Sequence, residues 1–338
     1  MFILTAKSPL SYHQAMNLQD VFDLYEDRLQ LVEQKISELF RNKIPSIPLI
    51  GKHIISSGGK RLRPLFHLIS ADISGYRGDA NIEIAGIIES IHTASLLHDD
   101  VVDMAEIRRG KASANSVWGN QVVVLAGDFL YSNALRVAVL LKNQKIMESL
   151  SSATTRMTEG ELLQLNRTGD PEITEEEYIE IISAKTGALI SAACRTGAIL
   201  GGLSDEHENA LANFGMKTGI VFQMADDILD YMADEKELGK RLCKDLEEGK
   251  ITLPLLYVLS VAKEDESEEI KKILRDDFSK KGALRIKSLL KKYNAIDISF
   301  NKARLLIDTA KAELSVFPDT KAKEALFTIA DYSLQRDK

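Results

Sequence analysis

Residues 18–39 read LQDVFDLYEDRLQLVEQKISEL. Leu18, Phe22, Tyr25, Leu29, Val32, Ile36 and Leu39 recur at steps of three and four, so they line one face of a helix while charged residues fill the other. The same period runs through nearly all of the remaining chain. Helix punctuation accompanies it: Pro64 suits a first helical turn, Gly75 and the pair Gly201-Gly202 read as stops, Thr174 with Glu177 as a capping box, and Ser204 and Asp319 as starts. No run of β-branched residues alternates between hairpin turns. An all-α fold of about ten helices or more is expected. No Pro/Ser/Gly-rich linker or fixed-period repeat divides it, so residues 1–338 read as a single helical domain.

Of the 338 residues 45% are hydrophobic and 28% charged, and 43 Lys+Arg against 50 Asp+Glu leave a formal net charge of −7. That balance argues against a nucleic-acid partner or an anionic membrane surface, since both need net positive charge. Cys194 and Cys243 have neither the number nor the spacing of a disulfide framework or a Cys-type zinc site, which fits a reducing cytoplasm. No signal peptide is read at the N-terminus. Residues 122–141 and 186–203 come closest to membrane spans, but Asp128 and Arg136 interrupt the first and Arg195 the second. Both are expected as buried helices, and no transmembrane segment is expected. Residues 262–281 are highly charged and read as a solvated peripheral helix pair.

The chemistry is concentrated in two acidic runs and three basic ones. Residues 96–109 read LLHDDVVDMAEIRR and residues 223–230 read QMADDILD, each containing Asp-Asp-x-x-Asp. On helices, Asp99 and Asp103, like Asp226 and Asp230, are i, i+4 neighbours on one face. Such pairs destabilise a helix by about 0.2–0.5 kcal/mol unless something positive binds them. Both runs are embedded among Leu, Val and Ile rather than on a solvated face. Carboxylates so placed suit a hard cation that also takes water and phosphate oxygens. One copy alone would read as an exposed acidic turn; two copies beside basic groups read as a metal-diphosphate site. The basic groups are Lys60, Arg61 and Arg63 in GGKRLRP (58–64), then Arg108-Arg109, then Lys240 and Lys250. His92, seven residues before Asp99, shares its helix face; His98 reads as a structural histidine.

With GGKRLRP, both acidic motifs and GK..CKDLEEGK (239–250), the chain resembles the trans-isoprenyl diphosphate synthases, the polyprenyl synthetase family, over nearly its whole length. The segments IHTASLLHDDVVDMAEIRRGKASAN (91–115) and GDFLYSNAL (127–135) are most similar to the long-chain bacterial branch, which makes octaprenyl and related diphosphates. The resemblance implies the isoprenoid synthase fold, an all-α homodimer whose helices surround a deep central cavity. It implies that Asp99, Asp100, Asp103, Asp226 and Asp230 hold Mg²⁺, three ions per site, on an allylic diphosphate such as farnesyl or geranyl diphosphate, with Asp227 behind them. Arg108, Lys185, Lys240 and Lys250 would contact diphosphate; Lys60, Arg63, His92 and Arg109 would form the isopentenyl diphosphate pocket; Thr186 and Gln223 would lie near the developing cation. Cys243 departs from the family pattern, which commonly has glycine there.

In that family the product tail lies beneath the first motif, near Ala94 and Ser95. Both are small, and residues 81–103 include no aromatic side chain, so this helix carries nothing bulky to plug the cavity. Leu130, Ala134 or Met157 on neighbouring helices are alternative floors. The expected product is therefore long, near octaprenyl diphosphate, a precursor of quinone side chains. The rivals are a shorter farnesyl or geranylgeranyl diphosphate synthase, a non-catalytic subunit of a heteromeric synthase, and a terpene cyclase, which would not need Lys60, Arg63 and Arg109. The pair His98-Asp99 also matches an HD phosphohydrolase, a reading that leaves the second acidic run unexplained.

Overall fold

The computed structural model describes residues 16–232, 243–275 and 279–335. The first helix, α1 (Leu18–Leu39), starts at a capping box between Asn17 and Asp20 and buries Val21, Tyr25, Val32, Ile36 and Leu39. Leu18, Phe22 and Leu29 flank that stripe half-buried, so the centre of the face lies nearer Val21 than the spacing of the larger residues implies. After α2 (Ser46–Ser56) comes α3 (Leu62–Ile73). Asp72 of α3 accepts from Tyr25 Oη at 2.9 Å and from both terminal nitrogens of Arg28 at 2.8 and 2.7 Å, and this bidentate grip fixes α1 against α3.

Helix α4 (Ala80–Val102) is the centre of the molecule: 14 of its 23 residues are buried, on every side, and it packs against α1, α3, α6 (Asn120–Leu140) and α9 (Ala188–Leu200). Between α4 and α6 lie a two-residue hairpin, Ile107–Arg108 paired with Lys111–Ala112, and the short α5 (Ala114–Trp118). The hairpin turns on Arg109 (φ 50°) and Gly110 (φ 75°), the two positive φ values that a tight type I′ turn requires. It is the only sheet among the described residues.

Helix α7 (Gln144–Arg167) leads to α8 (Glu175–Ile182), one π-helical turn at Ser183–Gly187, α9 and the long α10 (Asp205–Met232). The helix Ala295–Glu313 and the C-terminal helix Lys321–Leu334 pack against α10 from outside. A Cβ on Gly219 of α10 would lie 2.7 Å from Cα of Gly187, so α10 meets the π turn backbone to backbone. That approach leaves the adjacent Thr186 opposite Gln223.

The Thr174–Glu177 capping box forms, and Gly75 and Gly202 take left-handed conformations just past α3 and α9. The last helix is capped by Thr320 rather than Asp319, because the Thr320 hydroxyl accepts from the Lys323 amide while Asp319 pairs with the Lys323 ammonium at 3.0 Å. The charged stretch folds as the helices Glu264–Arg275 and Lys280–Lys292, laced by ion pairs such as Arg285–Glu269.

Helix α6 departs from expectation. Among the described residues it is the one helix long and apolar enough to cross a membrane, yet it buries only an inner face of Val123, Ala126, Gly127, Leu130, Ala134 and Ala138. Leu125, Val139 and Leu140 are 67%, 56% and 64% exposed. One face suffices to pack on α4, and the rest stays uncovered in a single chain.

His67 of α3 is completely buried, with Nδ1 3.1 Å from the Ala193 carbonyl and 2.9 Å from Thr196 Oγ1, and burial lowers its pKa to about 4. A depressed histidine pKa stabilises the fold above the unfolded value near 6.5, and that stability is lost as pH falls toward 4, because only the unfolded chain takes up the proton. Urea denaturation at pH 7 and 4.5 should show about 2–3 kcal/mol of this origin. A His67→Gln chain should lose that part of the pH dependence; an unchanged slope would refute the assignment.

Candidate active site

Both acidic runs sit at helix C-termini. Asp99 and Asp100 lie in the last turn of α4 and Asp103 caps it, its amide bonding the Asp99 carbonyl at 2.8 Å. Asp226, Asp227 and Asp230 occupy the closing turns of α10. Neither last turn contains a basic residue, so the carboxylates add to the negative end of each helix dipole.

The three aspartates of each run do not face one way. Asp103 and Asp226 are exposed and Asp99 and Asp230 half-buried, whereas Asp100 and Asp227 are buried. One residue along a helix is about 100° of rotation, which turns Asp100 away from Asp99. Asp100 accepts from Arg108 Nε, so the structure gives it an internal partner in place of the open face expected of it. Asp227 accepts from Tyr178 Oη at 2.7 Å and Gln223 Nε2 at 2.9 Å, and Gln223 Oε1 accepts from Thr186 at 2.9 Å. Asp227 thus orders Gln223 and Thr186 from behind.

The carboxyls are short of positive charge. Burial, then Glu161, pushes Asp99 up to about 6; burial pushes Asp227 up to about 7 against the bonds from Tyr178 and Gln223. Asp245, which the sequence reading passed over within CKDLEEGK, is pushed up to about 8 by burial and then by Asp227 and Asp230. Asp230 accepts the backbone amides of Lys244 and Asp245, both at 3.2 Å.

Two lysines join the acidic ends. Lys185, on the π turn, pairs with Glu161 at 2.6 Å and donates to Gln164 at 2.9 Å. It lines both the cleft beside Asp99 and the cleft beside Gln223, Asp227 and Asp245. Lys250 bonds Glu248 at 2.6 Å and reaches to 3.9 Å from Asp103, while its amide bonds the Asp245 carbonyl at 2.7 Å. The walls therefore face each other, since a residue anchored beside Asp230 extends to Asp103. Lys240 lies outside the described residues. Cys243 has φ 55° and is buried, a backbone region that favours glycine, and burial pushes its thiol up to about 11.

The basic wall stands beside the N-terminus of α3. His92 Nε2 lies 3.0 Å from Arg63 Nη1, and burial, then Arg63 and Arg109, holds its pKa well below the ordinary value. The ring is therefore neutral and accepts from Arg63 through Nε2. Arg109 donates to the Gly58 carbonyl and Lys60 to the Tyr332 hydroxyl. Arg61 turns inward, 9% exposed, and pairs with Glu33 and, at 2.8 Å, with the buried Glu89. It ties the loop to α4 rather than facing a ligand.

Beneath Asp99 a cleft runs down between α4, α6 and α7, lined by Ser95 and Ile91, by Met157, Thr158 and Thr154, and by Tyr131. Ser95 is in it. Ala94, Leu130 and Ala134 are instead packed in the core. Tyr131 of α6, between the expected floors Leu130 and Ala134, faces the cleft in their place. His98 is held against Val124 O and Asp128, each at 3.2 Å, which accords with a structural histidine.

The sequence profile of the polyprenyl synthetase family matches residues 45–292. The chain belongs to the polyprenyl synthetase family. Within it, the chain is 40% identical to octaprenyl diphosphate synthase of Escherichia coli (strain K12) over 326 residues, covering 96% of this chain and 100% of the relative. It is 36% identical to a short chain isoprenyl diphosphate synthase of Methanothermobacter thermautotrophicus, covering 95% and 100%. The fold matches the crystal structure of polyprenyl synthase from Caulobacter crescentus CB15, complexed with calcium and isoprenyl diphosphate, with a TM-score of 0.89 at 36% identity, covering 96% of this chain and 99% of that one. The isoprenoid synthase fold expected from the motifs is thus the fold observed.

Among the described residues no three His, Cys, Asp or Glu side chains gather into a ready-made metal cage. Paired carboxylates on two facing helix ends still fit Mg²⁺, which keeps waters and binds through one or two carboxylates plus substrate phosphate.

The Arg61–Glu89 pair provides a test of how the basic wall is built. Removing one partner of a buried ion pair leaves an uncompensated charge, so Arg61→Met should lower unfolding free energy by about 3–5 kcal/mol. Urea titration would measure it, and a loss below about 1 kcal/mol would mean that the pair behaves like a surface bridge.

Proposed function

We propose that this protein, acting as a single-domain helical prenyltransferase, condenses an allylic diphosphate with successive isopentenyl diphosphates head to tail, yielding a long all-trans polyprenyl diphosphate near octaprenyl diphosphate. Such a product would serve quinone side chains. The observation that carries this reading is the meeting of two carboxylate-bearing helix ends, linked by Lys250 and Lys185, with a separate Arg63–His92–Arg109 wall and an apolar cleft beneath Asp99.

Asp99, Asp103, Asp226 and Asp230 are the proposed holders of Mg²⁺, three ions per site, with Asp100 and Asp227 supporting from behind. The metal supplies positive charge to the leaving diphosphate. Lys185, Arg108, Lys240 and Lys250 stabilise the charge that grows on that group as its carbon-oxygen bond breaks. Lys60, Arg63, His92 and Arg109 hold the diphosphate of isopentenyl diphosphate, which sets its alkene against the allylic carbon. Thr186 and Gln223, bonded to each other and through Gln223 to Asp227, place polar oxygen atoms near the developing cation. The new carbon-carbon bond forms, the added unit loses a proton to the departing diphosphate, and the tail descends along Ser95. The starter is farnesyl or geranyl diphosphate, and the setting is cytoplasmic.

The exposed apolar strip of α6, with Leu162 and Leu165 of α7 at 57% and 48% exposure, fits a homodimer formed on that side.

One observation favours a shorter product as the second reading. Ile91 lies eight residues below Asp99, so the open cleft is about 12 Å deep, and Tyr131 stands in its wall.

Incubating the chain with farnesyl and isopentenyl diphosphates and sizing the dephosphorylated products by mass spectrometry decides between the readings. A ladder reaching octaprenyl supports the long-chain proposal; one ending at farnesyl or geranylgeranyl rejects it, and cyclic hydrocarbon would reject both. Asp99→Ala and Asp226→Ala should each cut turnover at least a thousandfold, about 4 kcal/mol of barrier, with far-UV circular dichroism unchanged. EDTA should abolish turnover and Mg²⁺ restore it.

Ser95→Phe puts a ring into the cleft one turn below Asp99 and should shift the ladder to shorter products while leaving the first condensation within about threefold of the parent rate. An unaltered ladder would show that the tail takes another path.

A further inference from the structure

We propose that Tyr332, in the last turn of the C-terminal helix, is a positioning residue that holds Lys60 for the diphosphate of isopentenyl diphosphate; this rests on the reading of the basic wall given above. The other cations of that wall are secured locally. Arg63 is bonded to His92 on α4, Arg109 to the Gly58 carbonyl, and Arg61 to Glu33 and Glu89. Lys60 is exposed, on a loop whose neighbours Gly58, Gly59 and Arg61 all have positive φ, and a free lysine side chain would sample many rotamers.

Its partner comes from 272 residues away: Lys60 Nζ donates to Tyr332 Oη and lies 4.9 Å from the centre of the Tyr332 ring. The hydroxyl holds the ammonium through a charge-assisted hydrogen bond, and the ring carries that hydroxyl on a stiff stem. The ring is itself anchored. Tyr332 is half-buried against the core, and its helix is tied to the helix Ala295–Glu313 by the Lys311–Asp331 pair. An ammonium held in one place on the loop that leads into Arg63 lowers the ordering cost of diphosphate capture.

Steady-state kinetics on the full-length chain tests this. Tyr332→Ala should raise KM for isopentenyl diphosphate about tenfold, the loss of roughly one charge-assisted hydrogen bond. Tyr332→Phe, which keeps the ring and the packing but not the acceptor, should raise it by a similar factor. KM for farnesyl diphosphate and kcat should stay within about twofold of the parent, a split that a general structural defect would not give. In a Lys60→Gln background Tyr332→Ala should add no further effect. An unchanged KM in both Tyr332 variants, an equal rise for both substrates, or a full effect persisting without Lys60 would each overturn the assignment. If the parent chain consumes no isopentenyl diphosphate, it is the proposed function that fails; the Tyr332 assignment fails only against a working parent.

Discussion

Two core helices end, with their dipoles pointing the same electrostatic way, in clusters of carboxylates. The C-terminus of a helix carries about half a negative charge, and α4 and α10 add three aspartates each to theirs with no basic residue in the last turn. An isolated helix would be frayed by that arrangement. Here the rest of each helix is locked in the core, α4 by burial on every side and α10 by backbone-close contact at Gly219. The packing energy of the lower turns therefore maintains an unfavourable charge distribution in the upper ones. Burial raises the pKa values of Asp99 and Asp227, and neighbouring carboxylates push the same way. On the proposed function, a divalent cation carrying diphosphate would relieve the unfavourable charge on both helices at once.

The basic wall is built on the opposite principle. Arg63, His92 and Arg109 crowd at the start of α3, where the helix dipole is positive and no acidic residue occupies the first turn. Crowding that favours an anion also threatens the fold, and one guanidinium is given up to prevent it: Arg61 is turned inward onto Glu33 and Glu89. Keeping His92 neutral serves the same end, since a protonated ring beside Arg63 would add to the repulsion. On the proposed function, segregating the two substrates into an acidic and a basic half would give each diphosphate one place that it fits.

The fold class was legible in the spacing of apolar residues because helix periodicity survives in any sequence that must bury one face. The acidic motifs and GGKRLRP were legible because each is contiguous. What escaped the sequence were partners supplied across the chain: Tyr178 behind Asp227, Glu161 and Gln164 on Lys185, Tyr131 in the cleft wall and Tyr332 on Lys60. Apart from Tyr131, which sits in GDFLYSNAL, none lies within a quoted motif, and contact between distant residues leaves no local pattern. Direction was misread as well. Asp100 lies about 100° round the helix from Asp99 and turned inward to Arg108; Ala94, beside Ser95, turned into the core by the same rotation.

Helix α6 connects the site to the outside of the molecule. Its inner side places Tyr131 in the wall of the cleft and Gly127 against His98, where a Cβ would lie 2.4 Å from the ring. Its outer side leaves Leu125, Val139 and Leu140 in water. A helix with little apolar cover on one flank is free to breathe, and a cleft wall that breathes would blur any limit on tail length. A second copy seated on the outer face would remove that freedom while burying the leucines and valines, each fully buried side chain contributing about 1.5–3 kcal/mol. Self-association and product control would then be two consequences of one amphipathic demand. Polar substitution on the outer face of α6 should therefore broaden the product ladder and weaken the dimer together, although no altered residue would touch the substrate.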